Sequence, residues 1–88
     1  ENIVEAERAI YAIEEAIKID GKKLLNSVEL TRINESISYL KKAVINNDVN
    51  EIKDATRKLE NTCEFYVERR MNNSIKSLIA GKDINDII

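Results

Sequence analysis

Proline and histidine are absent from this 88-residue sequence, glycine occurs twice and cysteine once. Each shortage removes a class of structure or chemistry. Hairpins, long loops and sheet corners draw on glycine and proline, so the chain has little with which to build them. With no histidine and one cysteine, no cluster of nitrogen and sulfur metal ligands can be assembled within the chain. A lone cysteine cannot form an internal disulfide, which fits a reducing, cytoplasmic compartment. No apolar run approaches the roughly 18 residues that a membrane-spanning helix needs, and no signal-peptide pattern opens the sequence. A glycine-rich phosphate loop, an internal repeat and a low-complexity segment are all missing.

What is present is charge and isoleucine. Charged residues make up 34% of the chain, with a net charge of −2 and both signs interspersed. That distribution offers no basic face and argues against nucleic acid as a partner. Helix formers dominate, so the expected class is all-α, with one domain and one modest core. Glu1 is not a methionine, and helical periodicity is already under way at Ile3. The chain therefore reads as an excised piece whose first helix continues upstream.

The periodicity predicts an antiparallel three-helix bundle with helices over about 3–19, 27–46 and 49–80. In the first, Ile3, Ala6, Ile10, Ile13 and Ile17 form one stripe, and Glu14 stands four residues before Lys18, the favourable order for an ion pair. Asp20-Gly21 is a breaker signal that should end it, with fraying on to Leu25. Asn26 and Glu29 form a capping box for the second helix, and Leu25 can staple against Leu30. Its stripe runs Leu30, Ile33, Ile37, Leu40 and Val44. Asp48 and Glu51 make a second capping pair, and Val49, Ile52, Ala55, Leu59, Cys63 and Tyr66 continue as the stripe of the third helix. Gly81 would take the left-handed position just past its end.

Length then predicts geometry. The second helix should be about 30 Å long, whereas 49–80 would span about 48 Å if straight. Asn72, Asn73 and Ser74 are weak helix formers where the third helix outruns its neighbours. A bend near 71–74 is expected, folding Ile75, Leu78 and Ile79 onto Leu24 and Leu25; the alternative is a straight helix presenting them to a partner chain. The tail after Gly81 keeps Ile84, Ile87 and Ile88 apolar and could dock as a last half-turn.

No residue here is expected to be catalytic, to bind a cofactor or to ligate a metal. Cys63 lies on an apolar stripe and reads as core, as do Ile13, Ile17, Leu30, Ile33, Ile37, Leu40, Ile52 and Leu59. Glu64 and Glu68, one turn apart, read as a solvated face, because acid–base work needs a partly dry pocket. The cluster from Asn46 to Glu51 lacks the glycine and alternating acids of a calcium loop, and a helix cap explains it. Arg69 and Arg70 diverge by about 100° and read as solubility and local ion pairing, although they could grip an anionic partner.

One stretch carries more. Phe65, the triplet Arg69-Arg70-Met71, Ser74, Gly81 and the closing Ile84-x-Asp86-Ile87 together resemble the C-terminal end of the HscA family, the DnaK-type chaperones of iron–sulfur cluster assembly. Leu24-Leu25, the turn Asn47-Asp48-Val49 and the helix lengths also fit that family, but would suit any DnaK-type lid. General DnaK chaperones usually add a long acidic tail, whereas this chain stops shortly after Gly81, which points to the HscA branch. The resemblance implies that 1–88 is the helical lid over a peptide-binding cleft. An ATPase domain would lie elsewhere in the parent, so ATP would be the parent's cofactor and this fragment would not be an enzyme. It further implies an iron–sulfur scaffold protein as client, held through a proline-containing peptide, and a J-domain cochaperone. The polar latch residues of general DnaK lids are not preserved around Val4, Arg8 and Ala12, so no latch assignment carries over, the cleft contact stays unassigned and Arg8 is only a candidate. Two alternatives are the lid of a general chaperone and a free-standing helical interaction module that could self-associate.

Overall fold

The computed structural model describes residues 2–81, with side chains through Ile79. The tail that carries Ile84, Asp86, Ile87 and Ile88 lies outside the described residues. Four α-helices follow in order: α1 (Asn2–Ala16), α2 (Lys22–Leu24), α3 (Ser27–Asn46) and α4 (Val49–Gly81). A π-helical turn, Ile17–Gly21, joins α1 to α2 without a break, so these elements act as one rod. The result is an all-α bundle of three rods, with no strand among the described residues.

The first rod thus runs past Asp20-Gly21 to Leu24 rather than ending near Ile19. Gly21 has right-handed helical angles (φ −57°, ψ −44°) and is buried. Its role is steric. A Cβ at this position would stand 2.8 Å from Cγ2 of Ile17, whose β-branched side chain has little freedom to turn away. The chain leaves the helix at Leu25, which is extended (φ −121°, ψ 139°) and buried.

Asn26 then starts α3 with a complete capping box. Its Oδ1 accepts from the Glu29 N–H at 2.8 Å, and Glu29 Oε1 accepts from the Asn26 N–H at 3.0 Å. At the far end Asn47 takes left-handed angles (φ 56°, ψ 33°), which an asparagine tolerates better than most residues, and its N–H closes on the carbonyls of Ala43 and Val44. Asp48 Oδ1 accepts from the N–H groups of Asn50 and Glu51 to start α4. The return bond from Glu51 to the cap is not formed among the described residues.

The core lies along the seam of the three rods. Ile33, Leu40, Ile52 and Leu59 are almost inaccessible, with Ile37, Cys63 and Tyr66 beside them. Burying each large aliphatic side chain contributes about 1.5–3 kcal/mol. Ile13, Ile17 and Leu30 are half-buried at the margin of this cluster. Buried positions in the first rod step by five from Ala16 to Gly21, the width of one π turn. Ile19 is left outside at 74% exposure.

The bend near 71–74 is not found. α4 runs as continuous α-helix from Val49 to Gly81, and Ile75, Leu78 and Ile79 stay exposed rather than folding onto Leu24 and Leu25. Asparagine and serine cost a helix only tenths of a kcal/mol each and keep their backbone N–H, so nothing here breaks the ladder. Gly81 itself belongs to α4, and no described glycine has positive φ. The greatest extent of the molecule, 56 Å, reflects this long helix.

Candidate functional site

The longest-range polar contacts gather where the first rod ends, α3 begins and α4 passes over both. Three side chains of one α4 segment supply them, Tyr66, Arg69 and Arg70, with the Phe65 ring under Arg69. On a helix, Tyr66 and Arg70 share a face and Phe65 and Arg69 share the next one. The two pairs accordingly grip different elements.

Tyr66 is fully buried, and its hydroxyl donates to Asp20 Oδ1. Arg70 Nε donates to Asp20 Oδ2 at 2.8 Å, with its guanidinium carbon 5.9 Å from the Tyr66 ring centre. Burial opposes ionisation of Asp20, but the bonds from Tyr66 and Arg70 and the charges of Arg70 and Lys23 outweigh it. Its carboxyl is held below the usual aspartate range. Burial, and then the bond to Asp20, push the Tyr66 phenol well above its usual range.

Arg69 makes a forked contact with Glu29. Nη1 reaches Oε1 at 2.6 Å and Nη2 reaches Oε2 at 2.8 Å, while Nη1 also donates to the Leu24 carbonyl at 2.8 Å. That carbonyl is one of the orphan acceptors at the end of the first rod. The guanidinium lies 4.8 Å from the Phe65 ring centre. Hydrogen bonds from Arg69 and from the Asn26 backbone hold the Glu29 carboxyl below its usual range. Glu29 thus closes the α3 cap and anchors α4 at once.

The adjacent arginines are therefore not a free solubility pair; each fastens α4 to a different carboxylate of its own chain. The ion pair expected between Glu14 and Lys18 is also replaced. Lys18 Nζ meets Glu15 at 3.0 Å, and Glu14 reaches across to Lys41 of α3 at 2.9 Å. A bond between rods ties the bundle together where an intrahelical pair would not.

Asp20 and Glu29 are ionised and fully engaged, and Cys63 is buried with its thiol pushed up to about 11. Glu64 and Glu68 stand exposed on α4. No group of three or more potential metal ligands occurs among the described residues, and no described helix is long and apolar enough to cross a membrane. Arg8 is exposed on α1, flanked one turn either way by exposed Val4 and Tyr11.

Comparison with known proteins gives this bundle its context. It is 34% identical over 96% of its length to the HscA homolog of Methylobacillus flagellatus and 34% identical over 99% to that of Pseudoalteromonas atlantica. Its relatives are HscA chaperones. The HscA homolog of Pseudomonas fluorescens is 29% identical over 99% of the chain. In each case the chain spans 14% of the relative's length. No family model and no solved structure matches the chain. The resemblance read from Phe65, Arg69, Arg70 and Met71 is thus a likeness to HscA chaperones along nearly the whole sequence.

Sequence reasoning singled out Tyr66, Arg69 and Arg70 but missed their acceptors. In the sequence Asp20 belongs to a helix-stop signal and Glu29 to a cap. No local spacing signals these partnerships, because the acceptors stand 40 and 50 residues from Arg69 and Arg70.

Proposed function

We propose that the chain is the helical lid of an HscA-like chaperone, closing over a peptide-binding cleft in an ATP-controlled cycle. The observation that carries this reading is that the likeness takes in 96–99% of the chain but 14% of each HscA relative. One segment of a large chaperone, folded as a stiff helical bundle, has the form of a cover. The ATPase activity, an iron–sulfur scaffold client and a J-domain cochaperone would belong to the parent chaperone acting in the cytoplasm, with ATP bound outside this segment.

The Asp20 and Glu29 contacts support the mechanics. By tying the first rod to α3 and α4, they let the folded bundle move as one body, and the exposed face of α1 would be carried with it. Closure of such a cover slows client release more than it speeds capture, because affinity differences appear mostly in dissociation. Nucleotide state would act by shifting docked and undocked populations.

The test is deletion of this segment from the full-length chaperone. Client dissociation in the ADP state should accelerate while basal ATP hydrolysis stays unchanged. An unaltered off-rate would sink the lid reading.

A second reading has one observation in its favour. Met71, Ile75, Leu78 and Ile79 leave the far end of α4 apolar and exposed, as a helical interaction module would. Concentration-dependent dimerisation that is lost on replacing these residues with serine would favour it.

A further inference from the structure

We propose that the hollow between the π turn and the start of α3 is a docking site for an acidic protein segment presenting an apolar side chain. The inference does not depend on the lid reading.

The hollow is floored by half-buried Ile17 and Leu30, and Ile19 stands beside it at 74% exposure. Lys18, Lys22 and Lys23 form its rim. An isoleucine this exposed has no packing role within the bundle, and the π turn is what leaves it outside. One helical turn widened by a residue directs Asp20 into the bundle and Ile19 away from it. π turns of this kind occur frequently at functional sites.

The charge balance favours an acidic occupant. The chain carries a net charge of −2, yet this corner is positive. Asp20, the one acid lining the hollow, has both carboxylate oxygens engaged by Tyr66 and Arg70, and the Arg70 charge offsets its own. Glu15 offsets Lys18 in the same way at 3.0 Å. Lys22 and Lys23 are exposed and belong to no ion pair among those of the described residues. A segment with carboxylates around one apolar side chain would match the rim and the floor together. A single exposed isoleucine is too little apolar surface for membrane insertion, which needs a continuous helical face.

The test uses the full 88-residue chain and a fluorescein-labelled glutamate-rich peptide with one central leucine. Anisotropy should report binding that weakens with added salt, as screened charge contacts require. Backbone amide shifts should cluster at Ile17–Lys23 and Leu30. The double variant Lys22→Glu/Lys23→Glu, with its helicity checked by circular dichroism, should lose roughly tenfold in affinity by reversing the rim. Replacing the peptide's leucine with serine, or Ile19→Ser in the chain, should also weaken binding. Equal binding of a lysine-rich peptide would overturn the proposal. So would amide shifts confined to Met71–Ile79, or tighter binding to phosphatidylserine vesicles or a single-stranded oligonucleotide than to the acidic peptide.

Discussion

The carboxylate of Asp20 accepts the hydroxyl of Tyr66 across 46 residues of sequence, and its second oxygen meets Arg70 at 2.8 Å. One aspartate at the end of the first rod thus fixes the middle of the longest helix. Tyr66→Phe removes the hydroxyl but keeps the ring in the core and the Arg70 bond in place. A hydrogen bond to a charged group contributes about 1.5–3 kcal/mol, so the substitution should cost about 1–2 kcal/mol, the Arg70 bond remaining. Urea unfolding of the two proteins measures this directly. An unchanged midpoint would mean that the contact contributes nothing.

Acid should weaken the bundle through the same end. Both Asp20 and Glu29 have folded pKa values depressed below their usual ones. A depressed carboxylate contributes stability that is fully present above its unfolded pKa, about 3.9 for aspartate and 4.3 for glutamate, and is lost as pH falls through the lower folded value. Melting temperatures should therefore hold steady from neutrality to about pH 5 and drop below pH 4. The double variant Asp20→Asn/Glu29→Gln should start lower and decline less steeply over that acid range.

Leu59 lies on the inner face of α4 and is fully buried, as Leu40 is on α3. Leu59→Ala should cost about 2–5 kcal/mol, combining lost transfer energy with the cavity left behind. A loss below about half a kcal/mol, the range of ordinary surface substitutions, would place the core elsewhere.

The exposed end of α4 predicts the opposite response. Leu78 and Ile79 are 65% and 63% exposed, so Leu78→Ser/Ile79→Ser should change stability by less than about 1 kcal/mol, two surface substitutions together. Chemical denaturation at low protein concentration is the measurement. A loss of several kcal/mol would show that these residues pack within the chain after all.

The elements whose sequence carries a local rule were legible in advance. The three- and four-residue steps of Ile33, Ile37 and Leu40 mark a buried helical face, and Asn26 with Glu29 marks where that helix starts. What escaped were choices made by neighbours in space. Gly21 looks like a stop because glycine weakens a helix, but the close approach of Ile17 makes its missing side chain useful inside one. Asn72, Asn73 and Ser74 look like a bend because their propensities are poor, yet propensity alone seldom breaks a helix that keeps its N–H groups. Glu14 passed over Lys18 for Lys41, and Arg69 and Arg70 found acceptors 40 and 50 residues away. Local spacing holds no trace of such partners. The resemblance to HscA chaperones rests in the sequence on individual residues such as Arg69, Arg70 and Met71, and periodicity would never have supplied it.

The π turn and its aspartate also bear on the order in which the molecule assembles. α3 and α4 are joined by a tight turn and share the most extensive packing between elements, so they form a nearly local hairpin whose closure costs little chain entropy. The first rod has no such shortcut to α4. Tyr66 must already be on a formed helix before its hydroxyl and Arg70 can capture Asp20, which makes that capture a late event in folding and an early one to be undone. Amides of the first rod should then exchange with solvent through partial openings in which the α3–α4 hairpin survives. The rod that would face a client would be the one the bundle can release without coming apart.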